Sequence, residues 1–183
     1  MSRRIVIGVV GLAGSGKTLV ARHLIERHGF VRQRFAGPLK DMLKAGLGLT
    51  DEQLDGDQKM QPLAWAGGST PRHIMQTLGT EWGRRLIHPD LWVNRWREVA
   101  MATPESCIVC DDVRFPNEAE VIRDVGGFVW RIVRPGLATM DHASERMQRS
   151  ITEDTLINNA TSIPDMIRSV ELTLASVKGA THD

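Results

Sequence analysis

The sequence predicts an α/β fold, in which a parallel sheet carries helices on both faces, within a single domain of 183 residues. The continuous apolar run from Ile5 to Val10 is rich in β-branched residues and typical of a strand buried on both faces. Strand-like and helix-like segments then alternate along the chain, which is typical of parallel sheets. Hydrophobic residues make up 42% of the chain, enough for a substantial core.

The elements near the N-terminus follow from simple patterns. A helix is predicted from about residue 16 to 28, because Val20, Ala21, Leu24 and Ile25 fall on one helical face. Gly29 is a suitable residue to end it. A second strand is predicted over residues 31–35.

The stretch from about residue 37 to 88 differs from the rest, because short helical pieces are interrupted by glycine, proline and polar turns. We predict that it forms an insert on the sheet core. Within it, Thr70 is a suitable helix cap and Pro71 a suitable first helical residue, so a helix is expected from there to about Leu86. Another helix is predicted over residues 91–101.

The second half of the chain resumes the alternation. Strands are predicted over residues 106–110, 128–133 and 155–158, with a helix over 117–125 and a last helix capped by Ser162. The polar segment from about residue 134 to 153 has weak periodicity and predicts a mobile lid.

Composition excludes several functions. A net charge of +1 implies no broad basic face for nucleic acid, and no stretch is long enough to cross a membrane. Arg3 and Arg4 before the first apolar run faintly resemble a signal peptide, but a core strand explains that run better, so we expect a cytoplasmic protein. Cys107 and Cys110 are predicted to be buried strand residues that point to opposite sides, without a shared metal or disulfide.

The segment from Gly11 to Thr18 matches the phosphate-loop pattern G-x-x-x-x-G-K-[ST] at every fixed position. Its glycines let successive backbone N–H groups turn inward toward phosphate oxygens. Lys17 is expected to reach the β- and γ-phosphates of ATP, and the Thr18 hydroxyl to ligate Mg²⁺. Without nucleotide, we expect Lys17 to face solvent. The predicted ATP-binding residues are Gly11, Ala13, Gly14, Ser15, Gly16, Lys17 and Thr18.

A phosphate loop by itself does not separate kinases from GTPases or ATPases. The N-K-x-D motif by which GTPases read their base is absent from the sequence, and an ATPase motor needs a larger chain. The insert and the arginine-rich lid instead favour a small kinase, in which ATP donates a phosphoryl group to a small acceptor.

One face of the predicted helix after Thr70 has two interpretations. At about 100° per residue, one side of the helix carries Arg72, Gln76, Gly79, Thr80 and Gly83. Two glycines within a helix cost roughly 1 kcal/mol each, so that side must need the space. Either another helix packs closely there, or a ligand lies along the face with its phosphate on Arg72 and its base edge on Gln76.

Asp111 and Asp112 end the strand predicted over residues 106–110. Ligands of parallel sheets bind beyond the carboxyl ends of the strands, so a carboxylate here could hold the water shell of Mg²⁺. Alternation makes the two aspartates face opposite ways and places Arg114 on the side of Asp112. We therefore predict Asp112 and Arg114 as functional, and leave Asp111 as a turn or capping residue.

Arginines cluster late in the chain, at Arg131, Arg134, Arg146 and Arg149. Phosphoryl transfer between two polyanions needs cations that arrive as the site closes. For each of these four arginines, the alternative is that it belongs to a solvated basic face and has no part in the transfer. We favour Arg134 because it directly follows a predicted strand, and expect His142, Ser144 and Glu145 to be lid contacts.

Five motifs together resemble the bacteriophage-type deoxynucleoside monophosphate kinases. They are Phe35-Ala-Gly-Pro-Leu-Lys40, the stretch from Pro71-Arg72 through Gln76-Thr-Leu-Gly-Thr-Glu-Trp-Gly-Arg84, Asp90-Leu-Trp92, Asp112-Val-Arg-Phe-Pro-Asn-Glu118 and Asp141-His-Ala-Ser-Glu145. The resemblance runs from about Ile5 to the last helix.

The resemblance implies the three-layer P-loop kinase fold with a monophosphate-binding insert and a lid. It implies ATP and Mg²⁺ as donor and a deoxynucleoside monophosphate as acceptor. Lys40, Arg72, Gln76 and Asp112 would then serve the acceptor, Thr18 and Asp112 the metal, and Lys17, Arg114 and Arg134 the transfer. A kinase of another metabolite such as dephospho-coenzyme A and a non-catalytic nucleotide-binding module remain alternatives. The preferred base, selectivity for deoxyribose and a homodimer stay open.

Overall fold

The computed structural model describes residues 4–103, 106–137 and 147–180. They fall into two compact units. The first unit comprises the described residues of Met1–Arg34 and Trp96–Asp183, and the second comprises Phe35–Arg95. The predicted insert lies within the range of the second unit.

The first unit is built on a five-stranded sheet. Its strands are β1 (Val6–Val10), β2 (Val31–Arg32), β3 (Ile108–Cys110), β4 (Phe128–Val133) and β5 (Thr155–Asn158). The order across the sheet is β2-β3-β1-β4-β5, and every pair is parallel. Gly8 pairs with Cys110 on one side and with Val129 on the other, so β1 is the central strand. The predicted parallel α/β fold is confirmed.

Alternation along β1 sends its side chains to two different helical layers. Ile7 and Val9 are fully buried in a core with α1 (Lys17–His28) and the last helix, here α7 (Ile163–Ala180). Gly8 faces the other side, where a Cβ would meet Ile122 of α6 (Pro116–Asp124) at 2.4 Å. The sheet is therefore covered on both faces, as the sequence predicts. The α1 and α7 core contains Val20, Ala21, Leu24, Met166, Val170, Leu174 and Val177.

Helix ends in this unit follow the predicted caps. Gly29 adopts a left-handed conformation (φ 67°) and ends α1, and the Ser162 hydroxyl accepts a hydrogen bond from the Asp165 N–H at 3.2 Å. Cys110 is buried, whereas Cys107 precedes β3 and is half-buried, and both are free thiols.

The second strand is shorter than predicted. Its ladder extends through the Gln33 N–H, which donates to the Val109 carbonyl at 3.0 Å, and then stops. The Gln33 carbonyl instead accepts from the Trp96 indole at 3.1 Å, and the Gln33 side chain donates to the Trp96 carbonyl at 2.7 Å. A side chain distant in sequence thus takes the acceptor that a longer strand would use.

The second unit is helical and has a core of its own. Its elements are α2 (Gly37–Leu47), α3 (Asp51–Leu54), two 3₁₀ turns (Asp57–Met60 and Ala64–Ala66), α4 (Pro71–Gln76), a π-helix (Thr77–Ile87) and the start of α5 (Leu91–Ala102). The core of the second unit is formed by the buried residues Leu39, Leu43, Leu49, Leu54, Leu63 and Trp92.

The helix predicted from Thr70 onward begins as expected and then changes type. The Thr70 hydroxyl accepts from the His73 N–H at 3.2 Å, and Pro71 is the first helical residue. Beyond Gln76 the chain is a π-helix, whose wider turn no longer follows the 100° spacing of an α-helix. The 100° spacing therefore no longer describes the residues beyond Gln76.

Among the described residues, no helix combines the length and the apolar character that a membrane span requires.

Candidate functional site

The parallel sheet brings several predicted segments to one edge. β3, β1 and β4 are neighbours that run in the same direction, so the segments after them start together. The glycine loop follows β1, Asp112 and Arg114 follow β3, and Arg134 follows β4. The strand order changes direction beside β1, where doubly wound sheets bind their ligands.

The loop after β1 depends on glycine for its shape. Gly11, Gly14 and Gly16 have φ values of 152°, 79° and 112°, which side-chain-bearing residues rarely adopt. A Cβ on Gly11 would lie 2.5 Å from the Ile132 carbonyl oxygen, so the loop sits directly against β4. The Asn159 amide donates to the Ser15 carbonyl at 2.8 Å and holds the loop from the end of β5.

Ser15 is the buried polar residue of this loop. Only 1% of its surface is exposed, and its hydroxyl oxygen has no hydrogen-bond partner among the described residues. A buried hydroxyl without a partner is costly unless a ligand satisfies it. α1 begins two residues later, and its first N–H groups have no acceptor within the helix, which makes this end an anion site.

Lys17 does not face solvent as expected. It is half-buried, and its ammonium group donates to the Gly11 carbonyl at 2.6 Å and to the Leu12 carbonyl at 2.7 Å. The side chain therefore lies back over the loop, where these two carbonyls accept hydrogen bonds from its ammonium group. Thr18 is exposed.

Arg134 reaches the same loop from β4. It is exposed, and its Nη1 lies 3.4 Å from the Gly14 carbonyl oxygen. A cleft of about 240 Å³ opens between the loop and the chain around Arg134. Gln148 lines the cleft, is 6% exposed, and its side-chain oxygen has no partner among the described residues. The other lining residues are Gly11, Leu12, Ser15, Arg131, Ile132, Val133, Leu137 and Arg149.

Arg131 has a structural role. Its Nε donates to the Glu153 carboxylate at 2.7 Å, and its Nη2 donates to the carbonyls of Gln148 (3.1 Å) and Ile151 (2.5 Å). The Arg131 hydrogen bond holds the pKa of Glu153 below its usual value. Arg131 thus anchors the segment that leads into β5.

Some of the predicted lid lies outside the described residues. Arg146, His142, Ser144 and Glu145 belong to that part, and so does the motif Asp141-His-Ala-Ser-Glu145.

The two aspartates after β3 have different partners. Asp111 is buried and pairs with Arg32 through both carboxylate oxygens, with the Arg32 Nε 2.9 Å from Oδ1. The expectation of a turn or capping role for Asp111 is therefore wrong, because Arg32 ends the neighbouring strand β2 and meets it across the sheet. Asp112 is half-buried and accepts from the Cys110 thiol at 3.2 Å. Burial, and then Asp112, raise the pKa of that thiol.

Arg114 is exposed at the same sheet edge. Its backbone N–H donates to the buried Glu118 carboxylate at 2.7 Å, and the Phe115 N–H donates to the same oxygen at 3.1 Å. Glu118 thus fixes the turn from which the Arg114 side chain projects.

The predicted acceptor residues Lys40, Arg72 and Gln76 lie in the second unit. The Lys40 ammonium pairs with Asp55, and its side chain is only 13% exposed. Arg72 and Gln76 are half-buried on α4.

Packing, and not a ligand, explains the two glycines of the π-helix. A Cβ on Gly83 would lie 2.7–2.9 Å from the Trp92 indole, and one on Gly79 would lie 3.1 Å from Leu39 Cδ1. The Trp92 indole N–H also donates to the Gly79 carbonyl at 2.9 Å. Of the two interpretations, close packing is therefore correct for both glycines, although the partner of Gly83 is a single tryptophan and not a whole helix.

Comparison with known proteins identifies relatives. Residues 65–170 match the family "Deoxynucleotide monophosphate kinase". A putative deoxynucleotide monophosphate kinase of Acanthamoeba polyphaga mimivirus is 39% identical over 173 residues, which cover 86% of this chain and 90% of the viral protein. The deoxynucleoside-5'-monophosphate kinase of Escherichia phage T5 is 39% identical over 56 residues, or 30% of this chain and 22% of the phage protein.

Solved structures with low sequence identity share the fold. A gluconokinase from Sinorhizobium meliloti has a TM-score of 0.51 at 16% identity, with 98% of each chain covered. The APS kinase of Mycobacterium tuberculosis, solved with AMPPNP and APS, has a TM-score of 0.51 at 15% identity, covering 97% of this chain and 99% of its own. At these identities the likeness supports the fold alone.

Proposed function

Because the chain belongs to the deoxynucleotide monophosphate kinase family, we propose that it transfers the terminal phosphoryl group of ATP to a deoxynucleoside 5'-monophosphate and forms the diphosphate. The observation that carries the proposal is the glycine loop between β1 and α1, with the Ser15 hydroxyl at its base, for which the described part of the chain offers no hydrogen-bond partner. Family membership favours this acceptor over dephospho-coenzyme A and over a module without catalysis.

The donor residues are those of the loop. Gly11, Ala13, Gly14, Ser15 and Gly16 would surround the phosphates with backbone N–H groups at the positive end of α1. Lys17 would contact the transferring phosphate, and for that its ammonium group must move away from the Gly11 and Leu12 carbonyls. The adjacent cleft, with Gln148 and Arg134 in its wall, lies on the same side of the loop as β4.

A magnesium ion fits the residues at this edge. Thr18 offers an exposed hydroxyl and Asp112 a half-buried carboxylate, and hard oxygen donors of this kind are those that Mg²⁺ prefers. When bound with ATP, the ion would neutralise phosphate charge. Thr18 and Asp112 are the residues that would hold it.

Transfer needs no general base in this chain, because the attacking atom is a phosphate oxygen that is already anionic near neutral pH. The residues position the reactants and stabilise charge. Lys17, Arg114 and Arg134 are the proposed cations, and the last two project exposed from the ends of β3 and β4.

For the acceptor we propose Lys40, Arg72, Gln76 and Asp112. The support is their place in motifs that resemble those of the family, and Arg72, Gln76 and Asp112 lie within the matched residues 65–170. Arg72 and Gln76 are also half-buried one turn apart on α4. Arg72 would bind the monophosphate through a charge-assisted pair, and Gln76, one turn later, would contact the base. Gly79 and Gly83 give no support to acceptor binding here, because both are explained by packing.

A substrate panel tests the proposal. Purified protein with ATP and Mg²⁺ is offered the common deoxynucleoside and nucleoside monophosphates and, separately, dephospho-coenzyme A, and ADP formation is followed. We expect turnover with at least one deoxynucleoside monophosphate and its loss in Lys17→Ala. The assignment would be refuted if dephospho-coenzyme A were the only acceptor that supports turnover, or if none of the acceptors did.

The remaining expectations belong to the same proposal. We propose that nucleotides are the partners, without nucleic acid or membrane, and that the chain acts in the cytoplasm, of a bacterial host if a phage encodes it. A homodimer and a lid over about residues 134–153 stay predictions.

A further inference from the structure

A cluster of imidazole and carboxylate groups joins α1 to α7 away from the glycine loop. The Glu171 Oε1 lies 2.5 Å from His23 Nε2 and 2.8 Å from His28 Nε2. The two imidazole rings are 5.8 Å apart and meet at 70°, so both present an edge to the same carboxylate. All three donor atoms lie within 4.8 Å of one another.

The cluster stands on a rigid base. The α1 residues Val20 and Leu24 and the α7 residues Val170 and Leu174 are buried in one core, directly beside His23 and Glu171. His28 is the last residue of α1, where Gly29 turns the chain in a left-handed conformation. The imidazole side chains are 16% and 19% exposed and Glu171 is 43% exposed, so the cluster is shielded by protein and open to solvent at one side.

The donor set has a clear chemical preference. Two imidazole nitrogens and one carboxylate oxygen suit Zn²⁺ and neighbouring transition ions, and they leave a fourth position for water. Bonds of about 2.0–2.2 Å in a tetrahedral arrangement place ligand atoms about 3.3 Å apart. The separations between the Glu171 oxygen and the two imidazole nitrogens, 2.5 and 2.8 Å, need to open by less than about 1 Å, which rotation of the half-buried Glu171 side chain can supply. The two imidazole nitrogens lie within 4.8 Å of each other.

We propose that His23, His28 and Glu171 form a structural site for a divalent transition metal of the zinc type. The inference is independent of the proposed kinase reaction. The metal would fasten the C-terminal half of α1 to the middle of α7, joining Glu171 to residues that lie 148 and 143 positions earlier in the chain. It would thereby stiffen the helix that carries Lys17 and Thr18 at its other end.

Zinc binding to the whole chain, prepared without a histidine tag and stripped with chelator, tests the site. We expect one equivalent of Zn²⁺ by calorimetry, and a rise in Tm of about 5–10 °C at zinc near a hundred times Kd. Glu171→Gln and His23→Ala should each weaken zinc affinity by at least about tenfold, since losing even an outer contact commonly does so. Co²⁺ bound to the wild type should show the visible bands of a tetrahedral nitrogen and oxygen site.

The matched controls are Glu26→Gln, an exposed carboxylate on the same helix, and His73→Ala, an exposed imidazole in the second unit. Both should bind zinc like the wild type. If the three groups form only a hydrogen-bonded cluster, Glu171→Gln lowers Tm but zinc raises the Tm of no variant, and the proposal fails. Equal zinc affinity in wild type and His23→Ala would also overturn it. Circular dichroism verifies that the variants fold, and the Co²⁺ spectrum of the wild type decides the matter if they do not.

Discussion

Lys17 contacts its own loop through two carbonyls, and this changes what its removal should do. The ammonium group donates to Gly11 and Leu12, so it contributes to loop order as well as to phosphate binding. Gly11 and Leu12 both line the cleft beside the loop, so water can take the place of the ammonium group after truncation. The structural loss is therefore small compared with the loss of a cation from the transferring phosphates.

Lys17→Ala should lower kcat by about 10²–10³-fold, as expected for removal of one preorganised charge-stabilising donor. The free energy of unfolding should change by less than about 1 kcal/mol. A coupled ADP assay and urea unfolding measure the two effects. Activity within tenfold of wild type would contradict the assignment of the loop.

Arg72→Ala should raise the KM for the monophosphate by about tenfold or more, because a charge-assisted contact is worth roughly 1.5–3 kcal/mol. The KM for ATP should change little, since the loop residues remain. Arg85→Ala is the matched control, because that arginine is exposed on the same stretch and pairs with Glu81. A rise in the KM of both substrates, or of neither, would leave α4 a structural helix.

Residues differ in how far the sequence identifies them. The loop from Gly11 to Thr18 is contiguous, and its spacing alone specifies the backbone that the structure has. The pair of Arg32 with Asp111 was not predicted, because the two residues are 79 positions apart and meet only once β2 lies beside β3. In the same way, the residues next to Gly83 in the sequence do not predict that Trp92 fills the space beside it.

At the scale of elements, the π-helix shows where tertiary contacts override a local pattern. The Gly79 carbonyl accepts from the Trp92 indole at 2.9 Å and from Arg84 Nη1 at 3.1 Å. Glycine lowers the propensity for a regular α-helix, and the two side-chain donors satisfy a carbonyl that the wider turn exposes. The position of Trp92 thus decides the geometry of a segment that the sequence predicts as an ordinary helix.

Gly83→Ala should destabilise the protein by about 1–3 kcal/mol, because its Cβ would overlap the Trp92 ring. Gly79→Ala should cost less, since its contact is the flexible end of Leu39 at 3.1 Å. Gly46→Ala in α2 is the control: no atom of the residues that the structure describes lies within 4 Å of its Cβ, so it should stabilise by about 0.5–1 kcal/mol. Urea unfolding ranks the three variants. The opposite order for Gly83 and Gly46 would contradict the packing explanation.

Glu153 couples the end of β4 to the start of β5 through Arg131. Its pKa is lowered in the folded protein by that hydrogen bond, so its stabilising contribution is complete above the unfolded value of about 4.3 and is lost as pH falls below it. Glu153→Gln should therefore be about 1 kcal/mol less stable at pH 7, and the difference should shrink as pH falls below about 4.3. Glu26→Gln, exposed on α1, is the control. A difference that does not shrink at all as pH falls below about 4.3 would exclude the ion pair as its cause.

At the scale of the whole molecule, the parallel sheet was predictable and the boundary of the insert was less so. Strands buried on both faces carry their own signal in continuous apolar runs such as Val6–Val10. The second unit extends from Phe35 to Arg95, beyond the predicted 37–88, because Trp92 completes its core of leucines. The periodicity of the segment that contains Trp92 predicts a helix, but not the unit to which that tryptophan contributes.

The residues with proposed roles in binding and transfer are distributed over both units. The ATP loop, Asp112, Arg114 and Arg134 belong to the first, and Lys40, Arg72 and Gln76 belong to the second. Each unit has its own buried core, so a ligand that binds one should stabilise the local structure of that unit. Hydrogen exchange read by mass spectrometry therefore separates the donor residues from the acceptor residues.

A non-hydrolysable ATP analogue with Mg²⁺ should slow exchange in the loop and first turn of α1, because phosphate oxygens accept from N–H groups that otherwise meet water. A deoxynucleoside monophosphate alone should slow exchange in α4, where Arg72 and Gln76 lie. In Arg72→Ala, the monophosphate at the same concentration should no longer protect α4. The ATP analogue should still protect the loop and the first turn of α1. Monophosphate protection confined to the loop after β1 would place the acceptor residues in the first unit and contradict the proposed roles of Arg72 and Gln76.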